Sequence, residues 1–333
     1  MKRIVKATAV SPAKTILFGE HFVVSGNTAI SMAVDLPTVV QVKTKSDDNL
    51  TIASPDLAIT ATFTTEPGEL VSATGENAES ILRPVFEAAK FTLKKFNANA
   101  GLSITVTSNV PIGMGLGSSA ATAVATVSAI STVLNKQASR QEIFEAAYSL
   151  EKIIHGQPSG VDQATVTFGG LITFRRGFVE SAITPASLPT IIIGNTGKRR
   201  STAQLISKVT ELRQNDPKRY DQIASDAQKI ADRAIKALNA GDAHEVGRLM
   251  NQNQKLLELV GVSSPELQKL ILAARAGGAL GAKLTGGGGG GCMIAVTDKY
   301  THNVAEAIQD AGGEILHGIF MPEGVKASID EEE

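Results

Sequence analysis

The chain has 333 residues, more than one domain usually holds, so two domains sharing a cleft are expected. With 43% hydrophobic and 20% charged residues, 4% aromatics and no Trp, the cores must be built from Ala, Val, Ile and Leu. A net charge of −1 argues against nucleic acid or an anionic membrane as partner, and the single Cys292 excludes an internal disulfide, which leaves a small-molecule partner and the cytoplasm as expectations.

Alternating apolar residues predict strands over Ile4–Val10, Lys14–Phe18 and Thr28–Val34, with Gly26-Asn27 as a hairpin turn between the last two. Further strands are predicted at Val39–Thr44, Leu50–Ile52, Ala58–Phe63 and Leu102–Thr107. Helices over Ala78–Phe96, with Pro84 near a first turn or a kink, and over Ala120–Leu134 interrupt this strand-rich half. The second is broken by Thr and Ser and is too short for the roughly 20 apolar residues a bilayer span needs. A third helix opens on the capping box of Ser139 and Glu142, carries Ile143, Ala147, Leu150 and Ile154 on one face, and ends at Gly156. After a strand at Leu171–Phe174 the pattern weakens from Gly177 to Pro189, where the domain boundary is expected, giving 1–183 and 184–333. Beyond a strand at Thr190–Gly194, Ser201 with Gln204 forms a second capping box and Pro217 opens a helix with Ile223, Ile230, Ala234 and Leu238 on one face. Val246, Met250, Leu257 and Val260 trace another helix, and Ser264-Pro265 begins a further one. Strands at Cys292–Val296 and Glu314–Phe320 flank a helix at Val304–Ala311, and Asp330–Glu333 reads as a solvated acidic end. The fold class is α+β.

The most informative stretch is Pro111–Ser119, PIGMGLGSS. Gly113, Gly115 and Gly117 allow positive φ and close approach of backbone to a ligand, and Ser118 or Ser119 is the expected N-cap of the following helix. Free amides and the positive end of the helix dipole would then face an anion such as phosphate. The spacing fits neither a Walker loop nor a dinucleotide fingerprint: Gly197-Lys198 is followed by Arg199, and Ser118 occupies the place of the third glycine.

Other polar constellations surround this loop. In Lys14–His21 a lysine begins a strand and the pair Glu20-His21 follows the break at Gly19. Lys14 either offers a point charge to a phosphate or a carboxylate, or is an ordinary edge-strand lysine. Glu151, one turn from a helix C-terminus, opposes the dipole and so calls for a cation: Mg²⁺ or a surface lysine. His155 reads as a cap of the last carbonyls. Pro158–Asp162 forms a bend that presents Asp162, either to a substrate hydroxyl or as the N-cap of a short turn. The glycine run Gly286–Gly291 reads as a close approach of backbone to a ligand or as a second glycine loop, and Cys292 as a core residue. Lys198-Arg199-Arg200 places cations at a positive helix end, for an anionic group or for solvent.

Taken together, SPAKTILFGEH (11–21), PIGMGLGSSAA (111–121), EKIIHGQPSGVD (151–162) and KLTGGGGGGC (283–292) resemble the GHMP kinase superfamily and, within it, the mevalonate kinase family. The resemblance implies an N-terminal domain like the second domain of ribosomal protein S5 and a ferredoxin-like C-terminal domain. It implies ATP and Mg²⁺, with Pro111, Gly113, Gly115, Leu116, Gly117, Ser118, Ser119 and Ala120 as candidate nucleotide contacts and Ser119 and Glu151 as metal ligands. Asp162 and Lys14 are the candidate catalytic residues, and Glu20, His21, Asp162 and Thr196 the candidate substrate contacts. The implied reaction is phosphorylation of the primary hydroxyl of mevalonate, a step of isoprenoid biosynthesis. The alternatives are another acceptor, phosphomevalonate or a sugar, or nucleotide binding without catalysis; a homodimer is left open. Ala13, Phe22 and Gly287 depart from the family pattern, and the bulk of Phe22 beside His21 would reshape the acceptor pocket.

Overall fold

The computed structural model describes residues 4–155, 158–198 and 202–330. The chain begins with β1 (Lys6–Phe18) and β2 (Ala29–Thr44), an antiparallel pair whose connection contains a 3-10 turn at Val23–Ser25 closed by Gly26 in the left-handed region. Each is longer than the sequence pattern predicts. In β1 a bulge between Ser11 and Ala13 absorbs Pro12, so two predicted strands become one. In β2, Ala29–Met32 pairs with one partner strand and Thr38–Thr44 with another, and Pro37, which has no N–H to donate, lies between the two ladders.

β3 (Asn49–Ser54), β4 (Ile59–Thr64) and β5 (Leu70–Thr74) follow as a meander, then α1 (Ala78–Lys95) crosses over to β6 (Leu102–Ser108), which lies parallel to β3. Pro84 sits inside α1, past its first turn. α2 (Ser118–Val133), α3 (Arg140–His155) and the short α4 (Val161–Phe168) lead to the hairpin β7 (Leu171–Arg175) and β8 (Phe178–Ala182). The capping box of α3 is present: Ser139 N–H donates to Glu142 Oε2 at 2.8 Å, and Glu142 N–H donates to Ser139 Oγ at 3.2 Å. α2 is buried along most of its surface because Ala, Val, Ser and Thr let it lie close under β1 and β2 while α1, α3 and α4 cover its other sides.

β9 (Thr190–Asn195), α5 (Thr202–Asn215), α6 (Pro217–Ala240), α7 (Ala243–Leu259), α8 (Pro265–Ala276), β10 (Gly281–Leu284), β11 (Cys292–Thr297), α9 (Thr301–Asp310) and β12 (Glu314–Leu316) build the second unit. Its sheet runs β10-β11-β9-β12, antiparallel throughout. The capping serine predicted at Ser201 and the helix stop at Gly156 lie outside the described residues. Ser264 does cap α8, its Oγ accepting from Leu267 N–H at 3.3 Å.

β13 (Lys326–Ile329) returns to the first sheet and pairs antiparallel with β1, giving the order β13-β1-β2-β6-β3-β4-β5, with β7 and β8 beside the first half of β2. Asp330 is therefore not a solvated end: its carboxylate accepts from Thr8 Oγ1 at 2.9 Å and pairs with Lys6 Nζ at 3.0 Å. The predicted strand Glu314–Phe320 stops at Leu316, and within the rest of that span Phe320 makes an isolated bridge to Val34. Among the described residues no helix is long and apolar enough to cross a membrane.

Candidate active site

The glycine loop takes the predicted conformation, with φ of 78° at Gly113, 89° at Gly115 and 80° at Gly117. One detail differs. The N-cap of α2 is Gly117, not a serine, and Ser118 is the first helical residue. A left-handed cap is favourable only for glycine, and a Cβ on Gly117 would stand 2.8 Å from Lys14 Cγ. The consequence is chemical: neither Ser118 nor Ser119 spends its hydroxyl on the helix end, and both line an open cleft.

Lys14 joins the loop to the acidic bend. Its N–H donates to Leu116 O at 2.9 Å, its stem lies against Gly117, and its Nζ meets Asp162 Oδ1 at 2.7 Å. The Lys14 side chain is 2% exposed, that of Asp162 37%, so a buried cation holds a carboxylate that solvent or a ligand can reach. Asp162 is the second residue of α4, whose N-cap is Gly160 with φ 87°, so the aspartate is not itself a cap. It stands in the first turn of α4.

The cleft, about 360 Å³, has two characters. Gly113, Ser118, Ser119, Thr122 and Glu151 form a polar end under the start of α2, and Leu57, Ile81, Leu82, Val85 and Val106 form an apolar end between α1 and β6. α3 delivers Glu151 to the polar end from its last turn. A serine hydroxyl and a single carboxylate are hard oxygen donors, too few to cage an ion alone and suited to one that keeps phosphate and water ligands. Among the described residues no three His, Cys, Asp or Glu cluster as a metal site.

The remaining predicted residues meet the stretch Lys283–Cys292. Glu20 and Lys283 form a fully buried ion pair, with Lys283 Nζ also donating to Leu284 O at 2.7 Å. Burial raises the Glu20 carboxyl above its ordinary value against the pull of Lys283, and burial lowers the Lys283 ammonium against the pull of Glu20. His21, at φ 61°, places Nε2 3.0 Å from Gly287 O. Thr285 Oγ1 accepts from Ile16 N–H at 2.9 Å and lies 3.0 Å from Thr15 Oγ1.

The glycine run approaches backbone of this chain, the close approach its sequence foretold but with protein as the neighbour. Gly289 N–H donates to Val262 O at 2.8 Å, Gly291 N–H to Lys198 O at 2.9 Å, and Cys292 N–H to Met114 O at 3.1 Å. A Cβ on Gly291 would fall 2.5 Å from Met114 O. Thr196 Oγ1 donates to Gly291 O at 2.8 Å, which ties the end of β9 to the same run. Phe22 does not reach the acceptor side: it is buried in the core of the second unit, its ring 6.3 Å from that of Tyr220. Cys292 is buried as expected, while Arg199, Arg200 and the His155 side chain lie outside the described residues.

Residues 83–170 match the family described as GHMP kinases N terminal domain, and residues 234–314 match GHMP kinases C terminal. The mevalonate kinase of Pyrococcus abyssi (strain GE5 / Orsay) is 37% identical over 334 residues, covering 98% of both chains. The chain belongs to the GHMP kinases, in the mevalonate kinase family. Crystal structures agree with this membership. The Methanococcus jannaschii mevalonate kinase superposes with a TM-score of 0.80 at 28% identity over 94% of this kinase and 96% of that chain. The L. major mevalonate kinase in complex with R-mevalonate gives 0.75 at 26% identity over 94% and 95%.

Two parts of the site escaped the sequence. The apolar end of the cleft is assembled from β-sheet, 3-10 turn and α1 residues with no local signature, because each is an ordinary apolar residue until folding aligns them. Lys283 was visible only as part of a motif. Its pairing with Glu20 joins positions far apart in sequence, a long-range contact that local pattern does not encode.

Proposed function

We propose that this kinase transfers the γ-phosphoryl group of ATP to the primary hydroxyl of mevalonate, giving 5-phosphomevalonate and ADP. The observation that carries the proposal is Lys14: one side chain touches the glycine loop along its stem and Asp162 at its tip, so a phosphate donor on the loop and an alcohol at the carboxylate would be neighbours. The apolar end of the cleft suits the adenine ring, and the amides at the start of α2 suit the β- and γ-phosphates. Ser119 and Glu151 have the donor chemistry to hold Mg²⁺, which when bound neutralises phosphate charge.

Asp162 accepts the hydrogen bond of the attacking hydroxyl and orients it, taking its proton as the new O–P bond forms. The Lys14 ammonium stands beside both the carboxylate and the loop, so it stabilises negative charge on either side of the transfer. Catalysis of this kind is mostly positioning and charge stabilisation, which is what a buried lysine and a rigid loop supply.

A coupled assay with mevalonate, ATP and Mg²⁺, followed by phosphorus spectroscopy of the product, tests the reading. ADP release with one new phosphomonoester on the primary hydroxyl is expected. Release with phosphomevalonate or a sugar and none with mevalonate would overturn it.

A further inference from the structure

The Glu20–Lys283 pair is fully buried, and the reaction outlined above makes no use of Lys283. Both side chains are 0% exposed. A buried ion pair of this kind contributes little net stability, because desolvation offsets the attraction; its retention asks for another reason. Glu20 supplies one: Oε1 is held by Lys283, while Oε2 is buried with no hydrogen-bond partner. A carboxylate oxygen left in that state costs free energy unless a donor completes it.

The position of that oxygen narrows the donor. Glu20 follows the end of β1, close enough to Lys14 for the lysine charge to favour its ionised form, and Lys14 itself touches Asp162. Of the other polar groups on this side, Gln254 on α7 accepts from Leu284 N–H at 3.0 Å, and Arg275 on α8 donates through Nη2 to Ala282 O at 2.7 Å while its buried Nε has no hydrogen-bond partner. His21 is turned to Gly287 O. An anion would be repelled by Glu20, whereas a hydroxyl would donate to it.

We propose that Lys283 is a positioning residue for the acceptor: by holding one oxygen of Glu20 it keeps the carboxylate charged and aimed, so that the second oxygen accepts a hydrogen bond from a substrate hydroxyl. This rests on the reading of the chain as a kinase of a hydroxy acid, and it assigns that acid's hydroxyl side, not its carboxylate side, to Glu20. Without Lys283, the effect of burial on Glu20 is opposed only by a backbone hydrogen bond and the Lys14 charge, so its carboxyl stands higher than in the wild type. The carboxyl then takes up its proton at a higher pH than in the wild type and ceases to accept.

The test is steady-state kinetics of Lys283→Met, Lys283→Arg and Glu20→Gln, with nucleotide binding measured by calorimetry to establish folding. Lys283→Met is expected to raise KM for mevalonate about 10- to 100-fold, the range of a lost hydrogen bond to a charged group, with KM for ATP within about two-fold. Its kcat/KM for mevalonate should fall on an acid limb that begins at higher pH than in the wild type or in Lys283→Arg. In the Glu20→Gln background, Lys283→Met should add no such limb. If the methionine variant does not fold, Lys283→Gln, which buries no charge, carries the same expectation. Equal rises in both KM values, or a wild-type pH profile in the uncharged variants, would overturn the assignment of Lys283. A wild-type enzyme that releases no ADP with mevalonate would instead overturn the proposed reaction.

Discussion

Gly117→Ala isolates the contact on which the site depends. At φ 80° an alanine there costs roughly 1–2 kcal/mol of backbone strain. The larger effect is local: the new methyl would stand 2.8 Å from Lys14 Cγ and 3.1 Å from Cε, and restoring an ordinary contact of 3.4 Å moves the Lys14 stem by about 0.6 Å. Lys14 is almost fully buried, so it cannot swing aside into solvent, and the 2.7 Å contact with Asp162 must lengthen. Misplacement of a catalytic group by about 1 Å can cost about 100-fold, so kcat should fall by about 10- to 100-fold. Gly177→Ala is the control. It has φ 87° with nothing within 4 Å of the added Cβ, so it carries the backbone strain without the collision. The assay is kcat by coupled ADP detection beside a denaturation midpoint for each variant. If Gly117→Ala loses stability like Gly177→Ala but keeps kcat within two-fold of the wild type, the argument from Lys14 is refuted.

Asp162→Asn should lower kcat by about 10²- to 10⁴-fold, the usual worth of a general base, while calorimetry still detects nucleotide. Glu151→Gln should shift the Mg²⁺ titration of activity to higher concentration, and an unchanged titration would make Glu151 a residue of the cleft wall only. The Ser139 amide and hydroxyl hold the Glu142 carboxyl below its ordinary value of 4.5. A lowered folded-state pKa contributes stability that is complete above the unfolded value and is lost as pH falls through the folded one. Ser139→Ala should therefore melt earlier than the wild type at pH 7, with the gap narrowing as pH falls below 4.5 and the share due to the lost cap of Glu142 N–H remaining.

How legible each part was in the sequence follows from the range of the interaction that fixes it. Ser139 with Glu142, Ser264 with Pro265, and the glycines of the phosphate loop act within one turn, and the chain shows them directly. β5, β8 and β13 gave no signal. They are edge strands with exposed or half-exposed residues, so the apolar alternation that marks a buried face is absent. β2 read as two strands because Pro37 interrupts its pattern, and only the change of partner at that proline explains why one strand continues through it. The N-cap of α2 was assigned to serine by composition. Gly117 holds it because Lys14, which follows it by no local rule, fills the space a side chain would need.

The glycine run Gly286–Gly291 illustrates the same point from the other side of the cleft. Six consecutive glycines suggest a ligand, yet Gly288, Gly290 and Gly291 leave no room for a Cβ because carbonyls of Val262, Lys198 and Met114 lie 2.1, 2.7 and 2.5 Å from where it would be. Met114 belongs to the loop Pro111–Gly117. Cys292 N–H binds its carbonyl from behind, Thr285 clasps β1 at Thr15 and Ile16, and Lys283 grips Glu20, so one segment of the second unit braces the loop, the lysine strand and the acidic corner together. A loop that must present amides to a phosphate gains from being fixed before the ligand arrives, since ordering it afterwards would cost binding energy. The run is glycine because three backbones have to meet where any side chain would hold them apart.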